Sequence, residues 1–220
     1  MNENLAREEI CRIGKSLFER GYVHASAGNI SVRLDDGFLI TPTDACLGFL
    51  DPARLARLDR DGRQTGGDKG SKTIALHTRI YQATAGFVPA PRCVLHSHST
   101  HCVALTLVPH GDELLAPITP YCVMKVGRVP VIPYHFPGDP RAAEQVTQVI
   151  ARYAADGIAL RAVMLERLGP TVWHETPAAA MATLEELEET ARLMALQAVP
   201  PAPLTAAQLQ DLRQQFGARW

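Results

Sequence analysis

The stretch Val94-Leu95-His96-Ser97-His98 constrains this chain more than any other. It is a short β-branched and apolar run, the type that forms a buried strand. In a strand, side chains at i and i+2 leave the same face, so His96 and His98 point together into one space. Two imidazoles held that way are set to share a divalent metal ion. An isolated H-x-H carries little weight, and the meaning of this one rests on its surroundings.

Upstream, residues 5–20 read as a helix, with Leu5, Ile10, Ile13 and Leu17 at helical spacing and Gly21 as its stop. Ser26-Ala27-Gly28-Asn29-Ile30-Ser31-Val32 is a small-residue turn entering a strand; Gly28 permits close backbone approach and Asn29 offers an amide donor, a pairing that can cradle an anion. Asp35-Asp36-Gly37 is hairpin chemistry before a second, antiparallel strand at Phe38-Leu39-Ile40-Thr41, and Thr43 stands where that strand exits. A further strand is expected at residues 55–58. Residues 66–73 form a glycine-rich loop opening onto a helix that carries Ile74, Leu76 and Ile80. Its amides, the helix dipole and Ser71 and Lys72 suit a phosphate, although the spacing is not that of a Walker loop.

Beyond the histidines, Ser99 is placed to cap a helix through Leu107 with His101 in its first turn. Residues 117–121 read as a loop and 127–134 as a proline-punctuated edge strand. Asp139-Pro140 begins a helix to Tyr153, and residues 161–166 and 171–173 are two strands joined at Gly169-Pro170. The last long helix, residues 176–198, puts Met181, Leu184, Leu187, Ala191 and Met194 on one face and glutamates on the other, as for a core or subunit contact. We therefore expect one domain over residues 1–198, followed by a proline-led tail over 199–220 that docks on the domain or on a neighbouring subunit. With 220 residues, 46% hydrophobic and 20% charged, and a net charge of −1, the chain has no electrostatic footprint for nucleic acid or an acidic membrane. Its five scattered cysteines lack a C-x-x-C spacing and read as free thiols in a reducing compartment. Met1-Asn2-Glu3-Asn4 does not open a basic segment followed by an apolar run, and no stretch approaches the length of a membrane span, so the expected location is the cytoplasm.

Taken together, Gly28-Asn29-Ile30-Ser31, Thr41-Pro42-Thr43, Ser71-Lys72, the segment from His96 to Cys102, Tyr121 and the segment from Leu165 to Gly169 resemble, in order and separation, the class II aldolase/adducin family over residues 5–198. The resemblance implies a three-layer α/β/α fold with a mostly antiparallel central sheet, and a homotetramer with active sites between subunits. By the same resemblance Gly28, Asn29, Thr43, Ser71 and Lys72 bind a substrate phosphate. His96 and His98 are two of three histidines that hold a divalent metal, Zn2+ by expectation, and Tyr121 delivers a proton from the adjacent subunit.

Two departures from the family pattern bear on the chemistry. The aldolases carry an acid/base glutamate four residues before the histidine matching His77, where this chain has Thr73; their third zinc histidine is here Leu168. An aldolase must remove a proton to make an enediolate, whereas a β-keto acid makes one by losing carbon dioxide. A glutamate near that carboxylate would repel it by about 4 kcal/mol at ~4 Å and an effective dielectric near 20. The loss fits the family's 3-oxo-tetronate 4-phosphate decarboxylase branch, whose reaction yields dihydroxyacetone phosphate and carbon dioxide. Lys72 then faces either the phosphate or the departing carboxylate. For the third metal ligand Glu166 and His101 rank equally, with His77 and His135 behind them. Two rival readings remain open: a sugar-phosphate aldolase or epimerase on the same scaffold, and a non-catalytic adducin-like binding module.

Overall fold

The computed structural model describes residues 2–220. Among them, β1 Asn29–Leu34, β2 Gly37–Ile40, β3 Ala56–Asp59, β4 Gln64–Gly66, β5 Cys93–His96, β6 Val131–Ile132, β7 Ala162–Leu165 and β8 Gly169–His174 form one eight-stranded sheet. Its order is β4-β3-β2-β1-β5-β8-β7-β6, antiparallel except for the β6–β7 pair at one edge. The helices are α1 Glu3–Glu19, α2 Ile74–Ala83, α3 Thr100–Leu105, α4 Pro140–Ala155, α5 Pro177–Ala195 and α6 Ala206–Phe216.

Alternation along the strands explains how the layers divide. Ile30, Val32, Cys93, Leu95, Met164 and Val172 pack with α1, α3 and α5 in one core, whereas Val94, Val163, Leu165 and Trp173 pack with α2 and α4 in another. Successive residues thus bury on opposite sides, which makes the inner strands apolar on both faces. This is the three-layer α/β/α arrangement with a mostly antiparallel sheet that the resemblance implied. Residues of strand parity with Val94, among them Asn29, Ser31, His96 and Thr171, face the α2/α4 layer, and the polar side chains gather there.

Several local expectations need correction. Ser99 occupies the N-cap position of α3 without capping it, because its hydroxyl shares a 2.6 Å bond with Ser97. The buried Glu188 caps the helix instead, although it was expected on an exposed glutamate face. Its carboxylate accepts from the amides of His101 and Cys102 at 2.9 and 3.1 Å. Helix α3 ends at Leu105 rather than Leu107, where the Thr106 hydroxyl donates to the Val103 carbonyl at 2.8 Å. The edge strand expected over 127–134 shrinks to Val131–Ile132 because the prolines flanking it lack a donor. Residues 122–126, left without structure by the sequence, wind into a π-helical turn closed by the Gly127 amide on the Cys122 carbonyl at 2.9 Å.

The tail is seated on its own chain. The Leu204 amide donates to the Pro117 carbonyl at 2.8 Å, Arg219 donates to the Gly157 carbonyl at 2.6 Å, and the Arg128 guanidinium lies 5.9 Å from the Trp220 ring centre. The five cysteines are free, and Cys93, Cys102 and Cys122 are buried. No helix among the described residues is long and apolar enough to cross a membrane.

Candidate active site

A cavity of about 550 Å³ opens on the α2/α4 side of the sheet, walled by the turn before β1, the loop entering α2, the end of β5, and the segment from β6 into α4. Gly28, Asn29, Thr43, Ser71 and Lys72 all line it. Two distant segments meet there because Pro42 bridges to Gly70, the Thr43 amide donates to the Lys69 carbonyl at 2.8 Å, and the Ser71 amide donates to the Thr41 carbonyl at 3.1 Å. Gly28 has φ +82°, and a Cβ there would lie 2.7 Å from Val23 Cγ1 and 3.0 Å from the His96 carbonyl oxygen. Only glycine lets the turn rest directly against the histidine strand. The Ser71 hydroxyl shares a 2.8 Å bond with that of Thr73, so hydroxyls and the first turn of α2 face the same space.

His96 and His98 line the cavity next to the Gly28-Asn29 turn, their ring centroids 5.1 Å apart and their planes 73° from parallel. Strand β5 ends at His96, and the His98 amide then donates to the Tyr22 carbonyl at 3.1 Å, so the two rings share one space although only the first is in the strand. His96 Nδ1 lies 3.0 Å from the Thr171 hydroxyl, leaving Nε2 for the cavity. Burial holds His96 down to about 3, with His98 and His77 adding to the effect, and burial with His24 lowers His98. A neutral imidazole is the ligand form, with Nδ1 fixed in the case of His96, and two imidazoles that share one tetrahedral ion stand roughly 5 Å apart by centroid for metal–nitrogen bonds of about 2.1 Å. The pair therefore fits a divalent metal. Among the described residues no group of three or more His, Cys, Asp or Glu side chains is assembled for one, so a third protein ligand is not in place.

Glu166 and Leu168 line the cavity beside the histidines. They are brought there by Gly169, φ +145°, where a Cβ would stand 1.9 Å from the Ser97 carbonyl oxygen. Glu166 is already engaged: its carboxylate accepts from the Tyr134 amide at 2.9 Å and lies 3.6 Å from Arg167 and 3.9 Å from His110. His101 lies outside the cavity lining, with Nδ1 2.8 Å from Glu188. Thr73 lines the cavity, and so does His77, whose Nδ1 shares a 2.8 Å bond with Ser31. Burial holds His77, too, down to about 3. His135 lines the far wall, its nitrogens 3.2 Å from Asp139 and 3.1 Å from Gln145. The Arg141 guanidinium beside Asp139 holds that carboxyl well below the usual range. Tyr121 does not line this cavity; it is exposed at the start of the π-helical turn.

Sequence reasoning passed over several residues here. Thr171 orients His96, and only its alternation with Trp173 in β8 signalled an inward face. Asp139 was read as a helix cap, which it is, accepting from the Arg141 amide at 2.9 Å, but it also holds His135 on the cavity wall. His24, whose ring centre is 6.1 Å from that of His98, had no pattern to mark it.

With this geometry in hand, comparison with known proteins places the chain. Residues 8–195 match the family described as Class II Aldolase and Adducin N-terminal domain. The 3-oxo-tetronate 4-phosphate decarboxylase of Cupriavidus necator is 52% identical, covering 99% of both chains. Among solved structures, YgbL from Escherichia coli superposes with a TM-score of 0.85 at 41% identity, covering 96% of this chain and 99% of that one. L-fuculose-1-phosphate aldolase from Thermus thermophilus superposes with a TM-score of 0.74 at 25% identity, covering 91% and 100%. From its sheet order, its cavity and these likenesses, the chain belongs to the class II aldolase and adducin family.

Proposed function

We propose that this protein is a carboxy-lyase that converts a 3-oxo-tetronate 4-phosphate to dihydroxyacetone phosphate and carbon dioxide. The observation that carries the reading is that Thr73 and Leu168, in the two places where the resemblance puts an acid/base and a metal ligand, line the same cavity as the phosphate-type turn and the histidine pair. Full-length identity of 52% to a decarboxylase of this name supports it.

The phosphate is held by the Gly28-Asn29 turn, Thr43, Ser71 and the exposed Lys72, and this fixes one end of the substrate. Thr73, hydrogen-bonded to Ser71, gives the carboxylate end an uncharged neighbour in place of a repelling glutamate. His96 and His98 would hold the divalent ion, Zn2+ by preference, with Glu166 of the same cavity as the carboxylate candidate for a third ligand; when bound, the ion supplies electrophilic stabilisation of charge developing on the keto oxygen. The C1–C2 bond breaks, its electron pair passes into the enediolate, and carbon dioxide leaves. Tyr121, reaching in from a neighbouring subunit of a homotetramer, then donates its proton to C2. No base is needed at the Thr73 position. We place the reaction in the cytoplasm.

The test is to offer the protein a 3-oxo-tetronate 4-phosphate and, separately, L-fuculose 1-phosphate. Carbon dioxide and dihydroxyacetone phosphate from the first, with no cleavage of the second, is the expected result. Cleavage of the second alone would overturn the reading in favour of an aldolase, and turnover of neither in favour of a binding module.

A further inference from the structure

Two buried polar atoms of residues that line the cavity have no hydrogen-bond partner: Nε2 of His77 and Oδ1 of Asn29. The third such atom among the described residues, Nε of Arg128, belongs to a residue outside the cavity lining. An unpaired buried polar atom is costly to a fold, so two on residues that line one cavity mark a place where a ligand completes the bonding. His77 is not loosely held. Its Nδ1 shares a 2.8 Å bond with Ser31 Oγ, which shares a 2.9 Å bond with the Tyr81 hydroxyl, and that hydroxyl donates to the Ser31 carbonyl at 3.0 Å.

With the Tyr81 hydrogen given to a carbonyl, that of Ser31 at 3.0 Å or that of Arg92 at 3.3 Å, Ser31 donates to the Tyr81 oxygen and accepts from Nδ1–H of His77. The uncharged ring then presents Nε2 as a bare acceptor. Asn29 stands two residues before Ser31 in β1 and shares its face, and its unpaired Oδ1 is also an acceptor. A 3-oxo-tetronate 4-phosphate offers acceptors at its carboxylate, its ketone and its phosphate. Its only carbon-bound donor is the C2 hydroxyl.

We infer that His77 Nε2, with Asn29 Oδ1 on the same wall, accepts the hydrogen of the substrate's C2 hydroxyl and so selects 2-hydroxy acids over their deoxy counterparts. The inference rests on the sugar-acid reading given above. Holding that hydroxyl also fixes rotation about the C1–C2 bond, the bond that breaks.

The test uses calorimetric binding of erythronate 4-phosphate and of its 2-deoxy counterpart to the protein as purified. The wild-type chain should bind the hydroxylated ligand about tenfold more tightly, the equivalent of one hydrogen bond. His77→Asn keeps an atom in the Nδ1 place to meet Ser31 and removes the unpaired Nε2. It should weaken only the hydroxylated ligand and bring the ratio near one, while His77→Gln, with an amide in the Nε2 place, should restore part of it. Equal weakening of both ligands, or a wild-type ratio already near one, would overturn the contact; the second outcome needs no variant to fold. Discrimination without release of carbon dioxide from the 3-oxo acid would overturn the decarboxylase reading and keep the hydroxyl contact, and release with no discrimination would do the reverse.

Discussion

Replacing Glu188 with alanine should unseat the helix that follows the metal-type histidines. The Glu188 carboxylate is buried beneath α3, where Oε1 takes the amide and Nδ1 of His101 at 2.9 and 2.8 Å and Oε2 takes the Cys102 amide at 3.1 Å. Helix α3 has six residues, too few to stand without tertiary support, and its own N-cap hydroxyl points elsewhere. Removing an ionised acceptor costs about 1.5–3 kcal/mol per bond before water compensates, so Glu188→Ala should lose about 3–4 kcal/mol. For a chain of this size that lowers the unfolding midpoint by roughly 6–16 °C. Glu188→Gln keeps one oxygen for the two bonds at His101 and sets an NH2 against the Cys102 amide, so its loss should be about half as large. Denaturant unfolding at fixed protein concentration measures both. Alanine within about 1 kcal/mol of wild type, or glutamine as damaging as alanine, would refute the capping argument.

Three further outcomes are expected. Folded His96 and His77 stay uncharged down to about pH 3, whereas unfolded histidines take up a proton near 6.5. The unfolded state therefore binds more protons below 6.5, and stability should fall as pH drops, by up to about 2.7 kcal/mol per unit for the two together. Unfolding free energies measured at about pH 7 and about pH 5 check this, and a flat profile would contradict the buried, neutral assignment. Gly28→Ala forces a Cβ to within 2.7 Å of Val23 and 3.0 Å of the His96 carbonyl at φ +82°. It should cost about 1–3 kcal/mol and weaken inhibition by inorganic phosphate, both read on one purified variant. If Tyr121 acts across a subunit boundary, randomly mixed tetramers of Tyr121→Phe and His96→Ala should regain about one-quarter of wild-type activity, whereas action within one chain regains none.

The sequence carried the fold because its signals were periodic. The apolar faces of α1 and α5, the Asp35-Asp36-Gly37 hairpin and the runs that became β5 and β7 each follow from a spacing that one element can satisfy. What escaped notice depends on contacts between distant segments. Glu188 looks like one more exposed glutamate of α5, and nothing local says that α3 ends beneath it. The π-helical turn at Cys122–Val126 follows from one i to i+5 bond at Gly127, which no periodicity announces. At the site, the histidines and the glycine-rich loop were legible as motifs. Their convergence on one cavity was not, because the Pro42–Gly70 bridge and the approach of Gly169 to Ser97 make it.

The charges around the cavity bear on what must accompany the substrate. Asp139 is paired with Arg141 at 2.6 Å, and Glu166 lies 3.6 Å from Arg167, which leaves Lys72 and Asp44 as formal opposites and the buried histidines neutral. A phosphorylated sugar acid brings about three negative charges into this nearly balanced space. Like charges at ~4 Å cost on the order of 4 kcal/mol per pair at an effective dielectric near 20, and one exposed lysine does not offset three. A divalent cation on His96 and His98 would supply the missing positive charge between the two ends of the substrate. Chelator treatment should accordingly weaken binding of erythronate 4-phosphate by at least tenfold while leaving inorganic phosphate, which we assign to the turn and the α2 loop alone, within about twofold. Both affinities can be read by calorimetry with and without added Zn2+. Equal loss for both ligands would place the cation at the phosphate end, and no loss for either would show that backbone amides and Lys72 meet the charge unaided.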